Sequence, residues 1–270
     1  MATAGTATGA ESTSAAPSRP RQVTELGVAY GLILAVIWTP RPLQKMLWWV
    51  AVAVLAFLIA KSWQGAGAAG LRAGNLLRSM WVVGAALVFA GAAVALSTYL
   101  HTMRNTGNAW QILSDYWVYI VWSGVQQFLL QCFFLFRLLR LLPKPRQAAF
   151  AAAGMFALAH LPNPLLAGLT IVWGTLACLI FLRYRNLYPL ALAHAILGVT
   201  IAVAVPGPVD HNMRVGLGYL KYHPRAHQRP PLDRFGASAT SIRPFREILN
   251  CRGIEERSCG DAIGMHPRNR

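Results

Sequence analysis

Long apolar segments separated by short polar stretches fill most of the chain between residues 26 and 205. A helix needs about 20 apolar residues to cross a membrane, so the third, fourth, sixth and seventh segments are long enough, whereas the first and fifth are short. The pattern predicts an all-α, multi-pass transmembrane helical bundle of seven or eight helices. The seven segments are 26–39, 46–63, 80–100, 116–142, 147–161, 164–182 and 187–205.

The fourth apolar segment carries a polar stripe. At about 100° per residue, Ser123, Gln126, Gln127 and Gln131 fall within one arc of the helix surface, while apolar side chains cover most of the rest. An unsatisfied amide in a bilayer costs a few kcal/mol, so these side chains must face protein or a water-filled cavity. The stripe therefore marks a candidate site.

Two histidines in later apolar segments are candidate partners of the stripe. His160 comes just before the helix-breaking sequence 162–164, Pro-Asn-Pro, which is tolerated at membrane depth only where protein or a cavity covers it. His194 lies seven residues after Leu187, or roughly 10 Å along a helix. Both histidines are therefore expected at the depth of the glutamines.

The composition supports the membrane prediction. The 270 residues are 55% hydrophobic and 13% charged, and the mean hydropathy is +0.42; a soluble domain has about 25% charged residues. The net charge of +16 comes from clusters between the apolar segments and from the tail, a distribution typical of membrane topology rather than nucleic-acid binding. We expect an integral membrane protein of a bacterial-type cell membrane, with no nucleic-acid partner.

The loops on one side of the predicted membrane carry most of the positive charge. The positive-inside rule makes this side cytoplasmic, and only Arg41, Lys45 and Arg104 occupy short loops on the other side. With an odd number of crossings, the positively charged tail would lie outside. Either an eighth crossing exists or one short segment does not cross the membrane, and the sequence leaves both possibilities open. The cytoplasmic set comprises Arg19, Arg21, Lys61, Arg72, Arg78, Arg137, Arg140, Lys144, Arg146, Arg183 and Arg185.

The composition also predicts three parts of the chain. Residues 1–24 are small and polar and are expected to form a disordered head. Residues 25–205 form the bundle, with the candidate site in its core at about 114–205. Residues 206–270 form a basic, Pro- and Arg-rich tail that we expect to be mostly unstructured.

Three motifs occur in order along the bundle. The sequence QQFLLQC beginning at Gln126 aligns with EExxFRG, residues 156–160 (FALAH) match FxxxH, and His194 with Gly198 aligns with HxxxN. These are the motifs of the CPBP family of CAAX-processing and bacteriocin-processing intramembrane proteases, which the chain resembles. It differs at Gln126 and Gln127 (both Glu in the motif), Leu130 (Phe), Gln131 (Arg), Cys132 (Gly) and Gly198 (Asn).

This resemblance implies a CPBP intramembrane protease-like bundle whose cavity holds the site. In that family a glutamate and the histidines activate water, and the asparagine helps to hold the oxyanion. The implied function is an endopeptidase acting on a membrane-associated protein or peptide; the alternative is a pseudoprotease that binds such a partner in the same cavity. The implied catalytic residues are Gln126, Gln127, His160 and His194, and the implied cavity or substrate-binding residues are Ser123, Gln131, Phe156 and Gly198.

The glutamines leave the source of the general base open, because an amide has no useful proton affinity. None of the nine acidic residues lies within the body of an apolar segment. Asp115 is eleven residues before Gln126, about 16 Å along a helix. Either histidine is a possible base, since imidazole titrates near neutrality. A non-catalytic site is the other reading, so whether the chain is an enzyme stays open.

Two further chemistries have weaker support. Two histidines with a glutamine would make a weak metal site, and the HExxH signature is absent. Cys132 is a possible nucleophile but lies about 140° around the helix from Gln127. The tail holds His223, His227, Cys251 and Cys259, whose spacing is wrong for a zinc knuckle. We therefore predict no metal and no cofactor.

Overall fold

A computed structural model of the protein describes residues 18–104 and 108–222. Within these ranges the chain is helical and has no strand, which confirms the predicted all-α bundle. In chain order the elements are α1 (Arg19–Trp38), α2 (Leu43–Lys61), α3 (Leu76–Ser79), α4 (Trp81–Tyr99), α5 (Ala109–Phe128), a π-helical segment (Leu129–Leu135), α6 (Phe136–Leu141), α7 (Pro145–Leu158), α8 (Pro164–Tyr184), α9 (Tyr188–Ala204), α10 (Gly207–Asp210), a 3-10 turn (His211–Met213) and α11 (Gly216–Leu220).

The long helices coincide with the seven apolar segments. In the described ranges, four helical stretches are long and apolar enough to cross a membrane: Leu43–Lys61, Leu76–Tyr99, Trp110–Leu141 and Pro164–Tyr184. A fifth is possible if α9 is counted together with residues 207–213, although the chain bends by 119° between them. The first and fifth segments, α1 and α7, are not among these stretches, as their short apolar lengths predict. The protein is therefore an integral membrane protein.

Segments that the crossing count places on the same side of the membrane contact one another in the structure. At one end the side chain of Asn186, after α8, donates to the carbonyl of Arg72, before α3, at 2.9 Å. At the same end Arg137 reaches Ser62, after α2, at 3.3 Å. This end holds most of the positive charge, and its assignment to the cytoplasm stays a prediction from the positive-inside rule.

The opposite end is closed by residues 207–220, which fold back over it as α10, the 3-10 turn and α11. The amide of Gly216 donates to the carbonyl of Leu161 at 2.8 Å. Gly216 has a φ of +54° and packs so tightly on Ile37 that a side chain would not fit. The ordered bundle therefore extends beyond residue 205, and no eighth crossing follows within the described part. The tail histidines and cysteines from His223 onward lie outside the described residues.

The first helix begins earlier than its composition predicts. The predicted disordered head ended at residue 24, but α1 begins at Arg19, with Pro20 in the first turn, where a proline is favourable. Arg19 donates to the carbonyl of Leu141 at 3.0 Å, and Glu25 accepts from Arg137 at 2.8 Å. These distant partners order the start of α1, and local composition contains no sign of them. Residues 1–17 lie outside the described ranges.

Small residues join α7 to α8. Ala148, Ala149, Ala152 and Ala153 on α7 are fully buried. A Cβ atom added to Gly174 of α8 would lie 3.3 Å from Ala153. Close approach through small residues is typical of membrane helix packing, because it maximises van der Waals contact where no hydrophobic effect operates. The packing holds α7, and therefore His160 at its end, in a fixed place beside α8.

The N-cap residue of α8, Asn163, is expected to contribute strongly to the stability of the bundle. Buried Asn163 accepts from the amide of Leu166 at 3.1 Å and donates to the carbonyls of Asp210 at 2.8 Å and Arg214 at 3.2 Å. We expect Asn163→Ala to lower the free energy of unfolding by about 2 to 3 kcal/mol, because it removes the cap and leaves buried carbonyls unsatisfied. Unfolding in detergent measures this. Asn108→Ala, at an exposed cap of α5, is the control and should cost only about 1 kcal/mol; equal losses would contradict the tertiary role.

Candidate functional site

The polar stripe of α5 and the π-helical segment faces the interior of the bundle. Ser123, Gln127 and Gln131 follow one another at intervals of four and are fully buried. Gln126 is only half-buried, and its side chain makes no hydrogen bond to another residue of the described ranges. The interior stripe is therefore narrower than predicted, with Gln127 rather than Gln126 at its centre.

A hydrogen-bonded chain joins the stripe to α9. The side-chain amide nitrogen of Gln131 donates to Gln127 Oε1 at 3.3 Å, and Gln127 Nε2 lies 3.0 Å from His194 Nδ1. Since the amide nitrogen of Gln127 can only donate, Nδ1 of His194 is the acceptor. A neutral imidazole then carries its hydrogen on Nε2. Gln127 therefore holds His194 as a hydrogen-bond donor toward the rest of the site.

His160 is held in the opposite tautomer. Its Nδ1 lies 2.7 Å from the backbone carbonyl of Phe156, one turn earlier in α7. A carbonyl only accepts, so Nδ1 carries the hydrogen and Nε2 of the neutral ring keeps its lone pair. His160 is half-buried, whereas His194 is 6% exposed. In a neutral His160 the atom that can accept a proton is therefore Nε2.

Phe156 lies between the two histidines. Its ring centroid is 4.8 Å from that of His160 and 5.8 Å from that of His194, edge-to-face in both cases. Gly198, one turn after His194 in α9, is buried, and the ring of Tyr119 fills the space beside its Cα. The structure thus brings together His160, His194, Phe156, Gln127 and Gln131, places Ser123 and Gly198 at one edge, and leaves Gln126 apart.

Two residues of this site, Tyr119 and Trp173, are not among those predicted from the motifs and the polar stripe. Tyr119 lies four residues before Ser123 and extends the stripe by one turn, so the same spacing would have found it. The ring of Trp173, in the middle of α8, lies 6.1 Å from that of His194, and its buried Nε1 has no partner within the described ranges. The sequence feature that could have identified Trp173 is its position in the middle of an apolar segment, because tryptophan in membrane proteins is usually found at the membrane interface.

The remaining candidates from the sequence lie apart from the histidines. The thiol of Cys132 donates to the carbonyl of Ala69, in the loop before α3, at 3.2 Å. Of the described carboxylates, Glu25 pairs with Arg137 at one end of the bundle and Asp210 with Arg104 at the other. No group of three or more His, Cys, Asp or Glu side chains in residues 18–104 and 108–222 is placed to share a metal ion.

The comparison with protein families agrees with the motifs. Residues 108–200, which contain the whole site, match the family described as type II CAAX prenyl endopeptidase Rce1-like, over about a third of the chain. Neither the curated proteins nor the solved structures gave a match. The resemblance inferred from the motifs is thus confirmed for this segment. The protein is a membrane helical bundle whose residues 108–200 are similar to the Rce1-like family.

Proposed function

We propose that the protein is a CPBP-type intramembrane endopeptidase that cuts a membrane-associated protein or peptide. The observation that carries the proposal is the pair of histidines held in opposite tautomers on either side of Phe156. One offers a proton acceptor and the other a donor, which are the two functions that hydrolysis of a peptide bond needs. The family match over the same residues supports it.

In this mechanism Nε2 of His160 accepts a proton from water while the water oxygen attacks the scissile carbonyl carbon. Nε2–H of His194 donates to the carbonyl oxygen and stabilises the negative charge that develops there. When the tetrahedral intermediate collapses, the carbon–nitrogen bond breaks and His160 returns its proton to the leaving amine. Gln127 acts through His194, by fixing its tautomer and ring orientation.

A non-catalytic pseudoprotease is the second candidate. It is favoured by the lack of any described carboxylate in contact with either histidine and by the glutamine at 127, which cannot accept a proton. Such a protein would hold a membrane peptide in the same place without cutting it. The buried chain of Gln131, Gln127 and His194 would then serve to keep the binding site rigid.

A cleavage assay separates these functions. The full-length protein is reconstituted in liposomes with a library of membrane-anchored peptides, and products are identified by mass spectrometry. Cleavage by the wild type, lost in His194→Ala, supports the endopeptidase. A silent wild type with an active Gln126→Glu/Gln127→Glu protein supports the pseudoprotease. If neither protein cleaves or binds any peptide, both functions are wrong.

The ring nitrogen that carries the hydrogen in His160 and in His194 can be measured directly. In 15N-histidine-labelled protein we expect NMR to show His160 protonated on Nδ1 and His194 on Nε2. In Gln127→Glu a carboxylate faces Nδ1 of His194 and accepts from it, so the His194 proton should move to Nδ1 while His160 stays unchanged. Resonances are assigned with His160→Gln and His194→Gln. A wild-type His194 already protonated on Nδ1 would contradict the proposed donor role.

A further inference from the structure

A cleft opens at the positively charged end of the bundle, separate from the histidine site. Its volume is about 440 Å³, within the range of roughly 300–1,000 Å³ that is typical of ligand sites. Four residues line it: Asn75 and Arg78 at the start of α3, and Arg183 and Tyr184 at the end of α8. The cleft therefore presents two guanidinium groups, from distant parts of the chain, to one volume.

Contacts between the two walls hold the cleft in place. The side chain of Asn75 donates to the carbonyl of Tyr184 at 3.4 Å, and the amide of Leu187 donates to the carbonyl of Gly70 at 3.0 Å. Gly70 has a φ of +74°, and a Cβ atom added to it would lie 2.7 Å from the ring of Phe181. The loop before α3 is thus packed tightly against the end of α8, so the cleft is formed before any ligand binds.

The two arginines of the cleft have no carboxylate partner within the described part of the chain. Of the carboxylates described there, Glu25 pairs with Arg137, whereas Asp210 and Asp115 lie at the opposite end of the bundle. Close opposite charges contribute most where water is partly excluded, as in a cleft. An anion in the cleft would therefore meet two positive charges that no described side chain neutralises.

Aromatic residues place the cleft at the level of the lipid headgroups. Exposed Trp81 follows Arg78 by three residues, roughly 4.5 Å along the helix, and Tyr184 lies in the cleft itself. Tryptophan and tyrosine are enriched at the membrane interface. Further along the same two helices the exposed surface is apolar, with Val88 on α4 and Val172 on α8. The surface therefore offers an anion site at headgroup depth and apolar faces for acyl chains.

We propose that this cleft binds the phosphate group of an anionic phospholipid, with Arg78 and Arg183 both donating to phosphate oxygens. The planar fork of N–H groups on arginine matches two oxygens of a phosphate, and basic pockets between membrane helices bind anionic headgroups. A zwitterionic lipid carries the same phosphate together with an ammonium group that the arginines repel, so the cleft selects the anionic lipid. The lipid site does not depend on the proposed endopeptidase function.

The test measures lipid binding by the full-length protein in a neutral detergent. Dioleoyl phosphatidylglycerol and dioleoyl phosphatidylcholine, which have the same acyl chains, are titrated separately, and native mass spectrometry gives the dissociation constant of each. The wild type should bind phosphatidylglycerol about tenfold more tightly. Arg78→Gln/Arg183→Gln should weaken the binding of phosphatidylglycerol by about 10- to 30-fold, because both cations of the cleft are removed. Thermal unfolding checks that each variant is folded.

Arg140→Gln/Arg146→Gln is the matched control, because it makes the same change in net charge at the same end of the bundle but outside the cleft. It should keep the wild-type affinity within about threefold. Equal losses in the two double variants would mean diffuse attraction by surface charge and would overturn the proposal, as would equal affinities of the wild type for the two lipids. Displacement of the lipid by inorganic phosphate or glycerol 3-phosphate at equal concentration would show a site for free phosphate and would also overturn it.

Discussion

Replacing His160 by glutamine is expected to lower kcat/KM for peptide cleavage by about 100- to 10,000-fold, the usual contribution of a general acid–base group. The loss follows from the tautomer: the carbonyl of Phe156 fixes the hydrogen on Nδ1, so Nε2 is the acceptor, and an amide in its place has no useful proton affinity. The rate is measured on a membrane-anchored peptide that the wild type cleaves, in liposomes that contain the full-length protein.

The free energy of unfolding and the affinity for the peptide should change little in His160→Gln. His160 is half-buried, and the bond to Phe156 is made within its own helix end, so its removal disrupts no contact between helices. His101→Gln makes the same change at an exposed position after α4 and serves as the control. If His160→Gln keeps its rate within about threefold while His194→Ala does not, the base is not His160 and the mechanism above is wrong.

A large loss of stability is expected when the ion pair that joins α1 to α6 is broken. Arg137 is 3% exposed; it donates to Glu25 at 2.8 Å and to Ser62 at 3.3 Å, and its guanidinium lies 3.6 Å from the ring centroid of Phe133. Glu25→Gln should lower the free energy of unfolding by about 3 kcal/mol, because breaking a buried pair leaves an uncompensated charge. The sequence pattern predicts that Arg137 is one of the loop cations that set membrane topology, but its side chain is buried in the core.

A double variant separates the pair from the packing. In Glu25→Gln/Arg137→Met no charge is left buried, so most of the loss should be recovered, and a stability within about 1 kcal/mol of the wild type is expected. A double variant as unstable as Glu25→Gln would mean that packing of the arginine stem, rather than charge, carries the stability. Unfolding in detergent at fixed ionic strength measures all the proteins.

The same pair predicts a dependence on pH. Burial alone would raise the pKa of Glu25, but hydrogen bonds from Arg21 and Arg137, together with their charges, outweigh it and hold the pKa below the ordinary value of 4.5. A group with a lowered folded-state pKa contributes its full stability above the unfolded-state value and loses it as the pH falls through the folded-state value. Wild-type stability should therefore decline below about pH 4.5 by more than that of Glu25→Gln. Parallel curves would contradict the assignment.

Sequence alone was sufficient for the membrane fold and for the order of the candidate residues along the chain. The length and apolar character of the seven segments follow from the thickness of the bilayer, which acts on each segment separately. The order of Gln127, His160 and His194 is likewise a property of the linear chain, and the family match to residues 108–200 agrees with it. Helical periodicity also predicted that Ser123, Gln127 and Gln131 face inward, because only one face of a membrane helix tolerates amides.

The roles of these residues depended on contacts between distant parts of the chain. Periodicity grouped Gln126 with Gln127, and only the packing of α9 against α5 placed Gln127, and not Gln126, on His194, 67 residues away. The histidine tautomers depend on which atoms face Nδ1, and the need for glycine at 198 depends on the ring of Tyr119. A pattern along one helix shows which side is buried, whereas the neighbour on that side is set by the packing of all the helices together.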